Sequence, residues 1–248
     1  MMALETHGLR RSFGGLVATA DVALRLDQGA RHALIGPNGA GKTTLINLLT
    51  GVLTPSAGRI RLHGEDITAL RPDQRTRRGL VRTFQINQLF PDFTPLMTVS
   101  LAVARRHGLD RAAWRRLAAH TPIIDDSMTV LDRFGLLDVM NTRVAHLPYG
   151  RQRLLEIATA IACAPRVLLL DEPAAGVPEH ERAGILAGLA ALPADVTVLM
   201  IEHDMDLVFR FAQRITVLVN GAILTEGTPS EIAANADVRA VYLGTQHD

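Results

Sequence analysis

The chain has 248 residues, 48% apolar and 21% charged, with a formal net charge of +1. That balance suits one large domain or two intimate subdomains. It excludes a disordered, collagen-like or disulfide-stapled chain, because the one cysteine has nothing in the chain to pair with. Near-neutrality also argues against general polyanion binding. No apolar run approaches the roughly 18 residues of a membrane helix. The first thirty residues carry Glu5, His7, Arg10, Arg11, Asp21 and Arg25 without a long apolar stretch. Neither a transmembrane helix nor a secretory signal is expected, so any link to a membrane runs through a partner.

The chain opens on short strands. Leu4 to Leu9 comes first, Gly14-Gly15 marks a turn, and Val22 to Leu26 alternates in part as a half-exposed strand. Gly29 breaks that strand, and Ala33-Leu34-Ile35 runs as a short buried strand into Gly36. Residues 43–50 read as a helix with Leu45, Ile46, Leu48 and Leu49 inward and Gly51 at a left-handed cap. Arg59 to Leu62, between Gly58 and Gly64, is another strand.

Helical signals dominate residues 84–160, with helices expected over 97–107, 110–120 and 127–140. The Arg151–Ala164 helix then stops at Pro165, and Val167–Leu170 is the continuous apolar run of a doubly covered parallel strand. A helix from Glu179 to Leu192, a strand Val196–Ile201, a helix Met205–Ala212 and a strand Ile215–Val219 follow. This alternation predicts an α/β fold with a mostly parallel sheet. Residues 71–120 hold ten arginines against Asp73, Asp92 and Asp110. A solvated face or a protein contact is favoured over nucleic acid there, because no aromatic residues interleave. Cys163 falls on the apolar face of its helix and reads as a small packed hydrophobe.

The segment Gly36-Pro37-Asn38-Gly39-Ala40-Gly41-Lys42-Thr43 fits G-x-x-x-x-G-K-[ST] between a strand and a helix. Its glycines let the backbone curl so that successive N–H groups face a phosphate, and the helix start adds unpaired donors and a positive dipole end. Lys42 reaches the β- and γ-phosphates, the Thr43 hydroxyl suits magnesium, and Thr44 adds a donor. All but one of the 26 basic residues are arginine, the exception being Lys42. A compact ammonium fits where a planar guanidinium does not. Asp171 ends a buried strand where it can hold the metal shell, and Glu172 beside it is placed to orient or deprotonate a water. Glu202, His203 and Asp204 are adjacent on a strand end and make a poor chelate, so His203 is read as a γ-phosphate contact. Pro148 is expected at the first position of a helix whose free Tyr149, Gly150 and Arg151 N–H groups form a second anion site. Gln85, opening the helical stretch, says little by itself.

Over nearly its whole length the sequence resembles the nucleotide-binding subunit of ABC transporters. Gly36–Thr43 is similar to the Walker A motif, Leu168–Asp171 to Walker B, Glu172 to the catalytic glutamate and His203 to the switch histidine. Gln85 matches the Q-loop, which implies roles at the metal and at the reacting water. Leu147–Gln152 matches the ABC signature, and Phe13, ahead of Gly14-Gly15, matches the aromatic that stacks on adenine. The resemblance implies ATP and Mg2+ as cofactors and a P-loop, RecA-like core carrying an N-terminal antiparallel β subdomain and a helical subdomain. Residues 1–83 and 161–248 would form the core, and 84–160 the helical part with the signature.

The signature departs from L-S-G-G-Q, with Pro148 in place of serine and Arg151 in place of glutamine. Pro178 stands where the D-loop usually has aspartate. Arg82-Thr83-Phe84-Gln85 with Leu89-Phe90, the Tyr-Gly signature, Asp171–Gly176 and the ending Val241-Tyr242-Leu243-Gly244 resemble ATP-binding subunits of branched-chain amino-acid importers. A lipopolysaccharide-export ATPase is the competing transport reading, and an ABC ATPase acting on nucleic acid or ribosomes the non-transport one. The resemblance implies permease subunits, a second ATP-binding chain (a copy or a paralogue) and, indirectly, a solute-binding protein as partners. It places the chain on the cytoplasmic face of the inner membrane, with no nucleic-acid partner.

Overall fold

The structure, a computed structural model, describes residues 1–83, 89–109 and 121–243. In chain order the elements are β1 (Met2–Phe13), β2 (Leu16–Val22), β3 (Arg25–Asp27), β4 (Arg31–Ile35), α1 (Lys42–Thr50), β5 (Ala57–Leu62), β6 (Glu65–Asp66), α2 (Pro72–Arg77), β7 (Leu80–Arg82), α3 (Pro95–Arg106), α4 (Thr121–Arg133), α5 (Tyr149–Ala162), β8 (Val167–Asp171), α6 (Glu179–Ala190), β9 (Thr197–Ile201), α7 (Met205–Phe211), β10 (Arg214–Val219), β11 (Ala222–Gly227), α8 (Pro229–Ala234) and α9 (Ala236–Leu243). They gather into two compact units: residues 1–81, 166–172 and 194–248, and residues 82–165 and 173–193. The expected division placed 161–165 and 173–193 in the core, whereas all of α5 and α6 groups with the helical unit.

The first unit is built on two sheets. One runs β11-β10-β4-β9-β8-β7, with β10, β4, β9 and β8 parallel and β11 antiparallel at its edge. Every residue of β8 and β9 is buried, as expected of strands covered on both faces. The register sets Leu34 and Asp171 both opposite Ile201. The segments after β4, β8 and β9 therefore leave the sheet together at its carboxyl edge. The other sheet is antiparallel, β2-β1-β5-β6 with β3 also on β1. Leu34, Leu45, Leu48, Leu49, Ile60, Leu169 and Leu199 join both sheets and α1 in one core.

The strand expected over Val22–Leu26 is two strands on different stretches of β1, separated at Ala23-Leu24. Asp21 in front of this break takes a positive φ of 55°. Within β2, Arg11 pairs with Thr19 and Ser12 with Val17, so Ala18 is an extra, bulged residue. One arginine of the basic stretch is neither solvated nor at a partner surface. Arg75 is 1% exposed, and its guanidinium donates to the carbonyls of Leu48 (2.6 Å), Leu49 (2.7 Å), Leu70 (2.9 Å) and Thr68 (2.8 Å). The bonds to Leu48 and Leu49 satisfy carbonyls at the open end of α1, and those to Thr68 and Leu70 tie it to the segment before α2. Burial lowers its pKa to about 10, with Asp66 opposing.

The second unit is helical, with α3 packed on α4 and α5, and α5 on α6. Ser100 Oγ donates to Ser127 Oγ at 3.0 Å in the buried seam between α3 and α4. Thr94 caps α3 and Pro95 occupies its first turn, so this helix starts two residues earlier than expected. The helix expected over 127–140 is instead Thr121–Arg133. Gly135 (φ 62°) donates to Asp132 O and Leu136 to Leu131 O, a left-handed double cap that ends the helix before the apolar residues run out. The helix expected over 110–120 lies outside the described residues, as does Gly244. Among the described residues no helix is long and apolar enough to cross a membrane.

Candidate functional site: a P-loop cavity at the carboxyl edge of the sheet

A cavity of about 430 Å³ opens over the start of α1. Asn38 to Thr44 form its floor, Phe13, Leu16, Val17 and Ala18 one wall, and Glu172, Asn220 and Gly221 the rest. Gly41 precedes α1 with φ 100°, and no side chain caps the first turn, which holds no acidic residue. The N–H groups of that turn are thus open to an anionic ligand. A Cβ on Gly41 would lie 2.3 Å from Ala18 O, so the bulge in β2 and the glycine of the loop fit only each other. The Asn220-Gly221 turn joins β10 to β11 with positive φ at both residues, 49° and 79°. Gly221 donates to Ala40 O at 2.9 Å and accepts from Ala20 N at 2.7 Å, tying loop and bulge together.

Lys42 Nζ donates to Gly36 O (2.6 Å) and Pro37 O (3.0 Å), which folds the ammonium over the loop. Burial lowers its pKa, while Glu172 and then Asp171 raise it. Asp171 ends β8 and is 7% exposed. Glu172 follows with φ 47°, an unfavourable backbone for a residue with a side chain, and its N–H donates to Ile201 O at 2.9 Å. The turn after β9 is organised by buried Glu202, 1% exposed, whose Oε2 accepts from the N–H of His203 (2.9 Å) and Asp204 (3.2 Å). His203 Nδ1 lies 3.7 Å from that oxygen and 4.0 Å from Glu172 Oε1, with two thirds of its side chain exposed. Asp204 caps α7 through Asp206 N and Leu207 N, so it is not available as a ligand beside His203. Among the described residues no His, Cys, Asp or Glu cluster forms a cage for a metal. The two described residues expected at the metal, Thr43 and Asp171, would supply only a hydroxyl and a carboxylate, a sparse hard-oxygen set of the kind that suits an ion keeping its waters and taking oxygens from a bound phosphate. Gln85 lies outside the described residues.

The helical unit holds the second expected anion site, with two corrections. Pro148 is the residue before α5 (φ −52°, ψ 149°) and Tyr149 is its first helical residue. The Gly150 N–H is not free: Glu181 Oε2, from α6, accepts from it at 2.6 Å. The helix start thus holds an anion from its own chain. The Arg151 guanidinium is turned to Asp138, at 2.9 and 3.1 Å. Cys163 is the residue after α5 and half-buried rather than on the helix's apolar face; burial raises its thiol pKa, against the pull of Arg105 and Arg106.

Sequence reading anticipated the cavity lining at Phe13, Asn38 to Thr44 and Glu172; Gly36, Pro37, Asp171 and His203, also expected at the site, do not line it. The reading missed Leu16, Val17, Ala18 and the Asn220-Gly221 turn. Asn-Gly between two apolar runs is a strong hairpin signal, but nothing local says that this hairpin touches the P-loop. Glu181 was missed because its contact joins residues 31 apart.

The family profile described as ABC transporter matches residues 19–175, well over half of the chain and including the P-loop, the helical stretch and Asp171-Glu172. The chain belongs to the ABC transporter family of ATPases. A second profile, branched-chain amino acid ATP-binding cassette transporter, matches residues 222–248. The ABC chain is 41% identical to the high-affinity branched-chain amino acid transport ATP-binding protein BraF of Pseudomonas aeruginosa, over 97% of both chains. It is 40% identical to the corresponding protein LivG of Escherichia coli, again over 97% of both. Among solved structures it resembles a nucleotide-free ATP-binding cassette from an ABC transporter with a TM-score of 0.84 and 28% identity, covering 98% of this chain and 99% of that one.

Proposed function

We propose that the chain is the ATP-hydrolysing subunit of an importer for branched-chain amino acids or a related small solute. The observation that carries the cargo reading is the 40–41% identity to branched-chain amino acid transport ATP-binding proteins across 97% of the chain. The cavity supports the chemistry. The N–H groups of the loop and Lys42 hold the triphosphate, and Phe13 meets the base. Thr43 and Asp171, with Gln85, would hold Mg2+, which when bound would neutralise charge on the phosphates. Glu172 takes a proton from a water as its oxygen attacks the γ-phosphorus; the bond to the bridging oxygen breaks, and ADP and phosphate leave. His203 contacts the γ-phosphate and stands beside the Glu172 carboxylate.

The working unit is two such chains, a copy or a paralogue, each closing the Tyr149-Gly150-Arg151 helix start over its partner's ATP. Glu181 must then release Gly150. Pro148 and Pro178 remove side-chain groups from that contact, which favours a weak or asymmetric site. The pair works at the cytoplasmic face of the membrane on permease subunits. Exposed Phe90 (58%) and Met97 (46%) in the helical unit support a protein contact there. No nucleic-acid partner is part of this reading. The test is uptake of labelled leucine by vesicles holding this chain with branched-chain amino-acid permease subunits and a leucine-binding protein. ATP-dependent uptake that is lost with Lys42→Ala supports the proposal. ATP turnover stimulated by ribosomes or DNA and indifferent to permeases would overturn it.

A further inference from the structure

We propose that Arg11 is a positioning residue for nucleotide binding, its guanidinium backing the Phe13 ring so that the opposite face is set to stack on the purine of ATP. The inference rests on reading the cavity as the ATP site with Phe13 at its base end. Arg11 and Phe13 are two apart on β1 and so share a face of the strand. The guanidinium carbon lies 4.8 Å from the ring centroid. Phe13 lines the cavity and Arg11 does not, so the cation meets the ring from outside.

The clamp is itself fixed. Arg11 Nη1 donates to Thr54 O at 2.9 Å, and Ser56 N donates to Arg10 O at 2.7 Å, which ties the strand to the 54–56 loop. Arg11 Nε has no hydrogen-bond partner among the described residues, and the ring is its neighbour. Phe13 stands at the turn end of the hairpin, 43% exposed, beside Gly14-Gly15. A ring that exposed has free rotamers to lose on binding, and a cation held on one face removes part of that loss beforehand.

The test is calorimetric binding of ATP without magnesium, and of tripolyphosphate, to the full-length wild type, Arg11→Ala, Phe13→Ala and the double variant. Tripolyphosphate has the phosphates without the base. We expect Arg11→Ala to weaken ATP by about two- to fivefold, the scale of an exposed cation–π contact, and to leave tripolyphosphate unchanged. Phe13→Ala should weaken ATP by roughly fivefold or more, and Arg11→Ala should add nothing in that background. In steady state the loss should fall on KM rather than on kcat. Equal weakening of tripolyphosphate, or a full Arg11 effect without the ring, would overturn the proposal in favour of general charge or fold stability. Phe13→Ala without effect on ATP would sink the stacking reading itself. An effect of Phe13→Ala but none of Arg11→Ala would sink only the role of Arg11.

Discussion

Single residues in the cavity are held by contacts that leave little room for substitution. Gly41 is the sharpest case, because its φ of 100° and the 2.3 Å approach of Ala18 O to a built Cβ act at the same atom. Gly41→Ala should destabilise the fold by roughly 1–3 kcal/mol, read as a lower urea midpoint, and weaken ATP at least about tenfold by opening the loop. Normal stability with normal ATP affinity would mean that the Ala18 bulge does not shape the loop. Much of this residue-level chemistry was legible beforehand. A lysine placed once in an arginine-rich chain, inside a glycine loop, marks itself. An acid pair after an apolar run does the same. Glu202 gave no such signal: its part is to hold two backbone N–H groups, and only the folded turn shows that.

At the scale of elements, a polar chain crosses three strands of the sheet, from buried His32 and Thr216 out to exposed Glu226. His32 Nε2 on β4 lies 2.7 Å from Thr216 Oγ1 on β10, which donates to Glu226 Oε2 on β11 at 3.3 Å; Arg214 holds the same carboxylate. Burial lowers the His32 pKa to about 4, against Glu226 and with Arg214. The unfolded chain therefore binds this proton first on acidification. The stability due to neutral His32 is complete above pH about 6.5 and is lost as the pH falls toward about 4. Between pH 7 and 5 the wild type should lose about 2 kcal/mol more than His32→Gln in urea unfolding. Equal losses would place the titration elsewhere. Elements with their own local signals were read well, since β8, β9 and α1 are continuous apolar or amphipathic runs. Errors came where tertiary contacts or caps decide. The apolar residues beyond Arg133 favoured a longer α4, but the Gly135 cap ends it. The short α8 passed unread although Thr228 and Glu231 form a complete capping box.

At the scale of the whole molecule, the proposed reading has the P-loop cradle one side of the triphosphate and leaves the γ-phosphate side to Glu172, His203 and solvent. The proposed remedy is the second chain. Specific ATPase activity should fall as the chain is diluted below its dimerisation range and recover with permease. Activity per chain that stays flat where light scattering finds only monomer would contradict a shared site. The arginine-rich stretch shows how far sequence reached here: it read as a partner surface or a solvated face, yet Arg75 is buried at the end of α1. Charge count alone does not separate a docking arginine from one that caps a helix. The proposed function depends most on Glu172, as the base for ATP hydrolysis in this cavity. Its most direct test is the turnover of Glu172→Gln at saturating Mg-ATP, in a preparation shown to bind ATP as the wild type does. A fall of roughly 10²–10⁴-fold is expected. Turnover at the wild-type rate would contradict it.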